Sequence, residues 1–180
     1  MIIVDTGSTD KTVDIATAAG ATVHHYTWTD DFAAARNVSL SHATGTWVAF
    51  FDADERLSEE LVQQIQGLTM PVKNRIGAAT VTMRNRLPSG SVHDAPLLRI
   101  FRRDESIHFK HRIHEDVSES VNAYLNQQMM TIVNLSGVGE HLGYVREVAA
   151  SRDKFNRDRR LLESCIEEDP DDLYSHYKLM

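Results

Sequence analysis

WVAFFDADERL, residues 47–57, carries five apolar residues directly into Asp52, Asp54 and Glu55. An apolar run of this length bounded by polar chain reads as a buried strand. Its tip is then crowded with carboxylates, which repel one another and resist dehydration. Something positive is expected beside them, and a divalent cation is the simplest candidate.

Working outward, residues 2–4 (IIV) form another short apolar run, ending in DTGSTD. That pattern predicts a strand, a turn and a helix start, with Ser8 or Thr9 as cap and Asp10 at the positive end of the helix dipole. The helix is expected to turn Val13, Ile15, Ala16 and Ala19 inward and to stop at Gly20. ATVHHY (21–26) is a second strand, and Asp30 or Asp31 opens a second helix that runs toward Gly45. After the strand at 47–51, Ser58 caps a third helix over LSEELVQQIQGL (57–68). Strand and helix thus alternate three times with short connections, which implies parallel strands covered by helices. A flavodoxin-like or Rossmann-like domain would show the same alternation.

Beyond Pro71 the pattern changes. AATVTMRNRL (78–87) and PLLRIFRRD (96–104) are strand-like and separated by the turn-rich PSGSVHDA, so antiparallel strands are added to the sheet. IHFKHRIHEDVS (107–118) has no clean period. MMTIVNLS (129–136) is a strand, and GVGEHLGY (137–144) reads as a loop. A charged helix follows from Val145 to about Glu168, DPDD breaks it, and LYSHYKLM begins another. The expected division is a domain over 1–144 and a helical extension over 145–180. With IIVD as its first strand, the sheet reads as lacking a preceding strand and helix. That expectation carries a second one: an unpartnered strand side, an apolar stripe at Phe155, Leu162, Cys165 and Ile166, and a tendency to self-associate.

Composition bounds the function. The 180 residues are 42% hydrophobic and 25% charged, as in ordinary globular domains, and the net charge of −7 leaves no basic footprint for nucleic acid. No apolar run is long enough to span a bilayer. Asp5 follows MIIV at once, so no signal peptide is expected, and the single Cys165 suits a reducing cytoplasm.

Ligands of parallel α/β sheets bind at the carboxyl ends of the strands. Asp52 and Asp54 at spacing i, i+2 would there suit Mg²⁺ or Mn²⁺, although a solvated acidic turn would read the same. Asp5 ends a different strand and is expected on the same rim, where a carboxylate can accept from a nucleobase N–H. Arg36, in the Ala-rich AAAR, would steady the acids or a substrate phosphate. His108, His111 and His114 recur every third residue, but without cysteine and in an irregular segment they are a poor zinc site. Lys154, Arg157, Arg159 and Arg160 alternate with Asp153 and Asp158 as a solvated helix face, with Lys154 a candidate for a phosphate.

Taken in order, IIVDTGSTDKTVDIA and DDFAAARNVSLSHATGTWVAFFDADE resemble the nucleotide-sugar half of a family 2 glycosyltransferase with the GT-A fold. The resemblance implies an α/β, Rossmann-like, mostly parallel sheet sandwiched by helices, with added antiparallel strands. It implies that Asp52 and Asp54 hold a metal and the diphosphate of a nucleotide sugar, and that Asp5, flanked by Thr6 and Ser8, lies at the base or ribose with Arg36 nearby. Thr6 stands where many relatives carry a second Asp. RIHED (112–116), followed by GEHLGYVREVAASRDKFNRDRRLLESCIEEDPDDLYSHYKL (139–179), resembles a bacterial branch in which tetratricopeptide helices follow the catalytic domain. That implies His114 and Glu115 at the acceptor side and His141 near the metal or diphosphate. Because transfer needs a base for the acceptor, Glu115 is expected in that role, with Asp116 as its substitute one residue on. The expected activity is inverting, metal-assisted transfer from a nucleotide sugar, a UDP-sugar above others, to a sugar, lipid or peptide acceptor. A nucleotidyltransferase would bring a Gly-rich basic phosphate loop, which is absent from the sequence. A catalytically incomplete nucleotide-sugar-binding remnant is the other alternative.

Overall fold

The computed structural model describes residues 1–70, 75–87, 90–142 and 148–180, with only the backbone of 148–152. It divides into two compact units: Met1–Thr44, His108–Val117 and Ser151–Met180 form one, and Gly45–Ile107 with Ser118–Ala150 the other.

In the first unit, β1 (Ile2–Asp5) and β2 (Thr22–His25) pair in parallel, Asp5 opposite His25. The connecting helix α1 (Thr12–Ala18) starts later than expected: neither Ser8 nor Thr9 caps it, while Asp10 accepts from the Thr12 amide at 2.9 Å. It ends as the sequence predicts. Gly20 takes φ +83°, with Ala21 N–H donating to Ala16 O and Gly20 N–H to Thr17 O, the paired bonds that close a helix through a left-handed residue. Only Ala16 of α1 is buried, and Ile15 is 66% exposed against expectation. Helix α2 (Phe32–Ser41) is capped by Asp31, whose side chain accepts from Ala34 N–H at 2.8 Å. Helix α5 (Val148–Glu168), from Ser151 on, and α6 (Leu173–Leu179) complete the unit, α6 capped by Asp172. Expected helix residues 145–147 lie outside the described residues. Leu161 and Leu162 bury against Ile113 and Phe32, so of the expected apolar stripe Leu162 packs inward while Phe155 remains exposed.

The second unit is a five-stranded sheet in the order β3 (Trp47–Ala49), β6 (Val92–Arg102), β5 (Ile76–Arg86), β7 (Thr131–His141), β4 (Glu55–Leu57). Helix α3 (Glu59–Leu68), capped by Ser58, and α4 (Ser118–Gln128) belong to it. The core is Leu61, Leu68, Ala79, Val81, Met83, Ile100 and Leu135.

The α/β class matches the sequence reading, but the parallel content is smaller than expected. Parallel pairing joins β1 to β2 and β5 to β7, whereas β3–β6, β6–β5 and β7–β4 are antiparallel. The 47–51 strand is also shorter and only half-buried, because it borders the sheet and meets β6 alone. β6 begins at Val92, within the stretch expected to be a loop. Pro96 is tolerated there because β3 pairs only with residues 100–102, so nothing asks for its missing N–H. The stretch 137–141, expected as a loop, is the second half of β7. Its glycines mark close approach rather than a turn: a Cβ on Gly137 would sit 2.5 Å from Leu61 Cα, where α3 crosses the strand.

Candidate functional site

The sequence-predicted residues form two constellations, one in each unit. In the first, Asp5 is buried at the end of β1 and accepts from Gly7 N–H at 3.2 Å and Ser8 N–H at 3.2 Å, with His25 Nδ1 3.4 Å away. Gly7 at φ +119° lets the chain fold back so that both amides reach the carboxylate. Hydrogen bonding from the Ser8 side chain, then from the Ser8 and Gly7 amides and His25, holds Asp5 below the ordinary carboxylate value against the opposing effect of burial. Asp5 therefore stays anionic, while Thr6 and Ser8 are exposed around it.

Helix α2 organises the rest of this unit. Asn37 brackets Phe109, donating Nδ2 to its carbonyl at 2.9 Å and accepting its N–H at 2.8 Å. Arg36, one residue earlier, donates Nε to Glu115 Oε1 at 2.5 Å and lies over the Phe109 ring. Arg36, expected to steady the acids or a substrate phosphate, thus pairs with Glu115. Between Phe109 and Glu115 the chain makes a tight loop, closed by backbone hydrogen bonds in both directions between Lys110 and Asp116. Burial, and then Lys178, lower the pKa of His114 within that loop.

The second constellation answers the question posed by DADE. Asp52 to Glu55 is a tight turn, closed by Glu55 N–H to Asp52 O at 3.0 Å, and the Glu55 side chain accepts Asp52 N–H at 2.9 Å. The positive group is Arg99. Its Nη2 lies 2.5 Å from Glu55 Oε1 and 3.4 Å from Asp52 Oδ2, with its guanidinium over the Phe50 ring. The two side chains are nearly dry, Arg99 9% and Glu55 3% exposed. Burial pushes the Glu55 carboxyl up from its ordinary value, against the pull of the Asp52 amide and Arg99. Asp52 thus turns toward Arg99.

Asp54 instead meets His141, Oδ2 to Nε2 at 3.2 Å. β7 places His141 opposite Glu55 of β4 and opposite Asn85 of β5. Asn85 donates Nδ2 to the His93 carbonyl at 3.3 Å, which turns its Oδ1 to His141 Nδ1 at 3.0 Å. Nδ1 must then carry the proton, and in the neutral ring the Nε2 lone pair faces the Asp54 carboxylate. Two acceptors at that distance need a cation between them, either a second ring proton or a metal ion. Adjacent ligands of an octahedral Mg²⁺ lie about 3 Å apart, so this pair fits two positions of one ion, with Asn85 fixing the tautomer from behind. No group of three or more His, Cys, Asp or Glu side chains among the described residues is disposed to hold a metal. Of the expected ligands Asp52, Asp54 and His141, the last two face each other.

Arg99 and Asn85 were missed from sequence. The signal for Arg99 was an arginine inside the apolar PLLRIF, which cannot be buried without an acid. Asn85 carried none beyond its strand register.

Residues 1–70 match the family model for Glycosyl transferase family 2. A TPR repeat-containing protein of Synechococcus elongatus is 36% identical over 182 residues, covering 99% of this chain and 44% of that protein. The SPbeta prophage-derived glycosyltransferase SunS of Bacillus subtilis is 27% identical over 173 residues, covering 95% of this chain and 40% of its own length. The chain thus spans less than half of these relatives. The crystal structure of S. aureus TarS residues 1–349 superposes with a TM-score of 0.58 at 16% identity, covering 99% of this chain and 59% of that one. A complex of the same TarS segment with UDP-GlcNAc gives a TM-score of 0.54 at 16% identity, covering 99% and 60%. These structures show a shared GT-A-like fold. The ordered motifs of residues 1–70 thus coincide with the segment that matches the family 2 glycosyltransferase model, and that segment is similar to this family.

Proposed function

We propose that this chain serves glycosyl transfer from a nucleotide sugar, with Asp54 and His141 holding a divalent Mn²⁺ or Mg²⁺ at the donor diphosphate. The observation that carries the metal is the facing pair of acceptors, His141 Nε2 and Asp54 Oδ2, with the ring proton committed to Asn85. A UDP-sugar is the donor class best supported, since the like-folded TarS was crystallised with UDP-GlcNAc. The bound ion would neutralise charge on the leaving diphosphate, an effect worth several kcal/mol.

The remaining roles fall to side chains. Asp5, held anionic, would accept from a base or ribose donor, beside Thr6 and Ser8. Asp52 and Arg99 would fix the turn that presents Asp54. Glu115, oriented by Arg36, would take the proton of an acceptor hydroxyl as its oxygen bonds to the anomeric carbon and the bond to the diphosphate breaks, inverting that centre. Asp116 has its backbone tied to Lys110 and is the weaker candidate for the base.

The test is calorimetric titration with UDP-GlcNAc in the presence and absence of Mn²⁺. Asp54→Ala and His141→Ala should each remove the metal-dependent part of binding. Asp54 is half exposed and adds little to the core, so melting should change little. Asn85→Ala should weaken Mn²⁺ affinity by about 10–100-fold, as loss of a group supporting a ligand does. Metal-dependent binding that survives in Asp54→Ala would remove this reading.

A further inference from the structure

The loop from Lys110 to Asp116 contains two non-glycine residues in the left-handed region, His111 at φ +68° and His114 at φ +54°. Such residues cost of order 1 kcal/mol each and persist only where surrounding structure holds them. The backbone bridge between Lys110 and Asp116 closes the loop but does not choose its internal geometry. Two sides do. From α2, Phe32 N–H donates to the Arg112 carbonyl at 2.8 Å and Asn37 fixes Phe109. From the C-terminal helices, Glu168 of α5 takes the Arg112 guanidinium in two hydrogen bonds of 2.7 Å. Tyr174 of α6 stacks its ring on His111 at 3.7 Å and donates its hydroxyl to the His114 carbonyl at 2.8 Å. A single side chain thus grips both strained positions, and Glu115 is the next residue along. Burial, together with the charges of Asp116 and Glu115, raises the Tyr174 pKa, which keeps the hydroxyl protonated as the donor this contact needs.

We propose that Tyr174 is a positioning residue for Glu115: α6 sets the left-handed geometry at His111 and His114 and so aims the Glu115 carboxylate. This makes the helical extension part of the transfer machinery, and it rests on Glu115 being the base.

The test uses the whole chain with Mn²⁺ and UDP-GlcNAc, with water as acceptor. A water oxygen bonds to the anomeric carbon, the bond to UDP breaks, UDP leaves as the anion, and the water proton goes to Glu115. Tyr174→Phe keeps the stacked ring and loses only the hydroxyl. It should lower kcat on the order of tenfold, as misplacement of a reacting group does, with KM for UDP-GlcNAc unchanged. In a Glu115→Gln background the same change should cost nothing further, because the group it positions is already disabled. Amide exchange at Lys110 and Asp116 should quicken in Tyr174→Phe. An unchanged kcat, or a loss repeated in full in the Glu115→Gln background, would overturn the proposal. Failure of the wild-type chain to hydrolyse UDP-GlcNAc would instead count against the base reading. Unchanged exchange of the two amides would overturn the clamp by itself.

Discussion

Glu115→Gln is expected to lower transfer by about 10²–10⁴-fold, the usual contribution of a positioned general base, while leaving the KM for the donor as it was. Glutamine keeps the length and the oxygen that accepts from Arg36 Nε, so the loop from Lys110 to Asp116 should hold its shape. It cannot accept the acceptor's proton, so the loss should fall on turnover alone. Melting should move little, because the Arg36–Glu115 pair is partly solvated and exchanging its charge for a neutral acceptor strands no dry ion. Asp116→Asn should cost less. Steady-state kinetics of both variants against donor concentration decide it. Full turnover in Glu115→Gln would transfer the role to Asp116 or abolish it.

Arg99→Met should destabilise the fold by about 3–5 kcal/mol, because it strands Glu55 without its partner. Methionine fills much of the volume over Phe50, so the cost comes from the carboxylate rather than from a cavity. The sign of the pH dependence follows from the raised Glu55 pKa. A carboxyl whose folded value exceeds its unfolded value binds more protons in the folded state, so stability is lost as pH rises through that window. Without Arg99 the folded value rises further. The destabilisation should therefore be small below the ordinary glutamate value of 4.5 and grow toward neutrality. Arg99→Met/Glu55→Gln should recover much of the loss, since the remaining side chain is neutral. Urea unfolding of the three proteins at roughly pH 4 and pH 8 measures both effects. Equal stability of wild type and Arg99→Met at the higher pH would show that the pair contributes nothing to the fold.

What the sequence made legible follows from where its signals are local. The βα alternation of residues 1–68 rests on apolar runs, caps and stop glycines, and the ends of α1, α2 and α3 show the mechanism: Gly20 turns left-handed, and Asp31 and Ser58 cap. Pairing partners are not local. Nothing within WVAFF says that its strand meets β6 antiparallel, and nothing in GVGEH says that Gly137 is small to admit Leu61. Helix α4 went unread because SESVNAYLNQQ is polar, and its buried Val121 and Leu125 are too few to set a period. The site divided in the same way. Asp5, Asp54 and Glu115 were visible as acids in family motifs. The residues they work with lie tens of positions away in sequence, and only the folded chain joins Arg36 to Glu115, Arg99 to Glu55, Asn85 to His141 and Tyr174 to His114. The counter-charge of the acidic turn shows the difference most clearly: carboxylate repulsion demanded a cation, and an arginine 44 residues beyond Glu55 supplies one.

The most direct test of the account is titration of the wild-type chain with UDP-, GDP- and dTDP-sugars, each with and without Mn²⁺, followed by calorimetry. The account predicts saturable one-site binding of a UDP-sugar that strengthens when Mn²⁺ is present and is lost in Asp54→Ala. Absence of binding by any nucleotide sugar under either condition, from a chain shown to be folded, would contradict it.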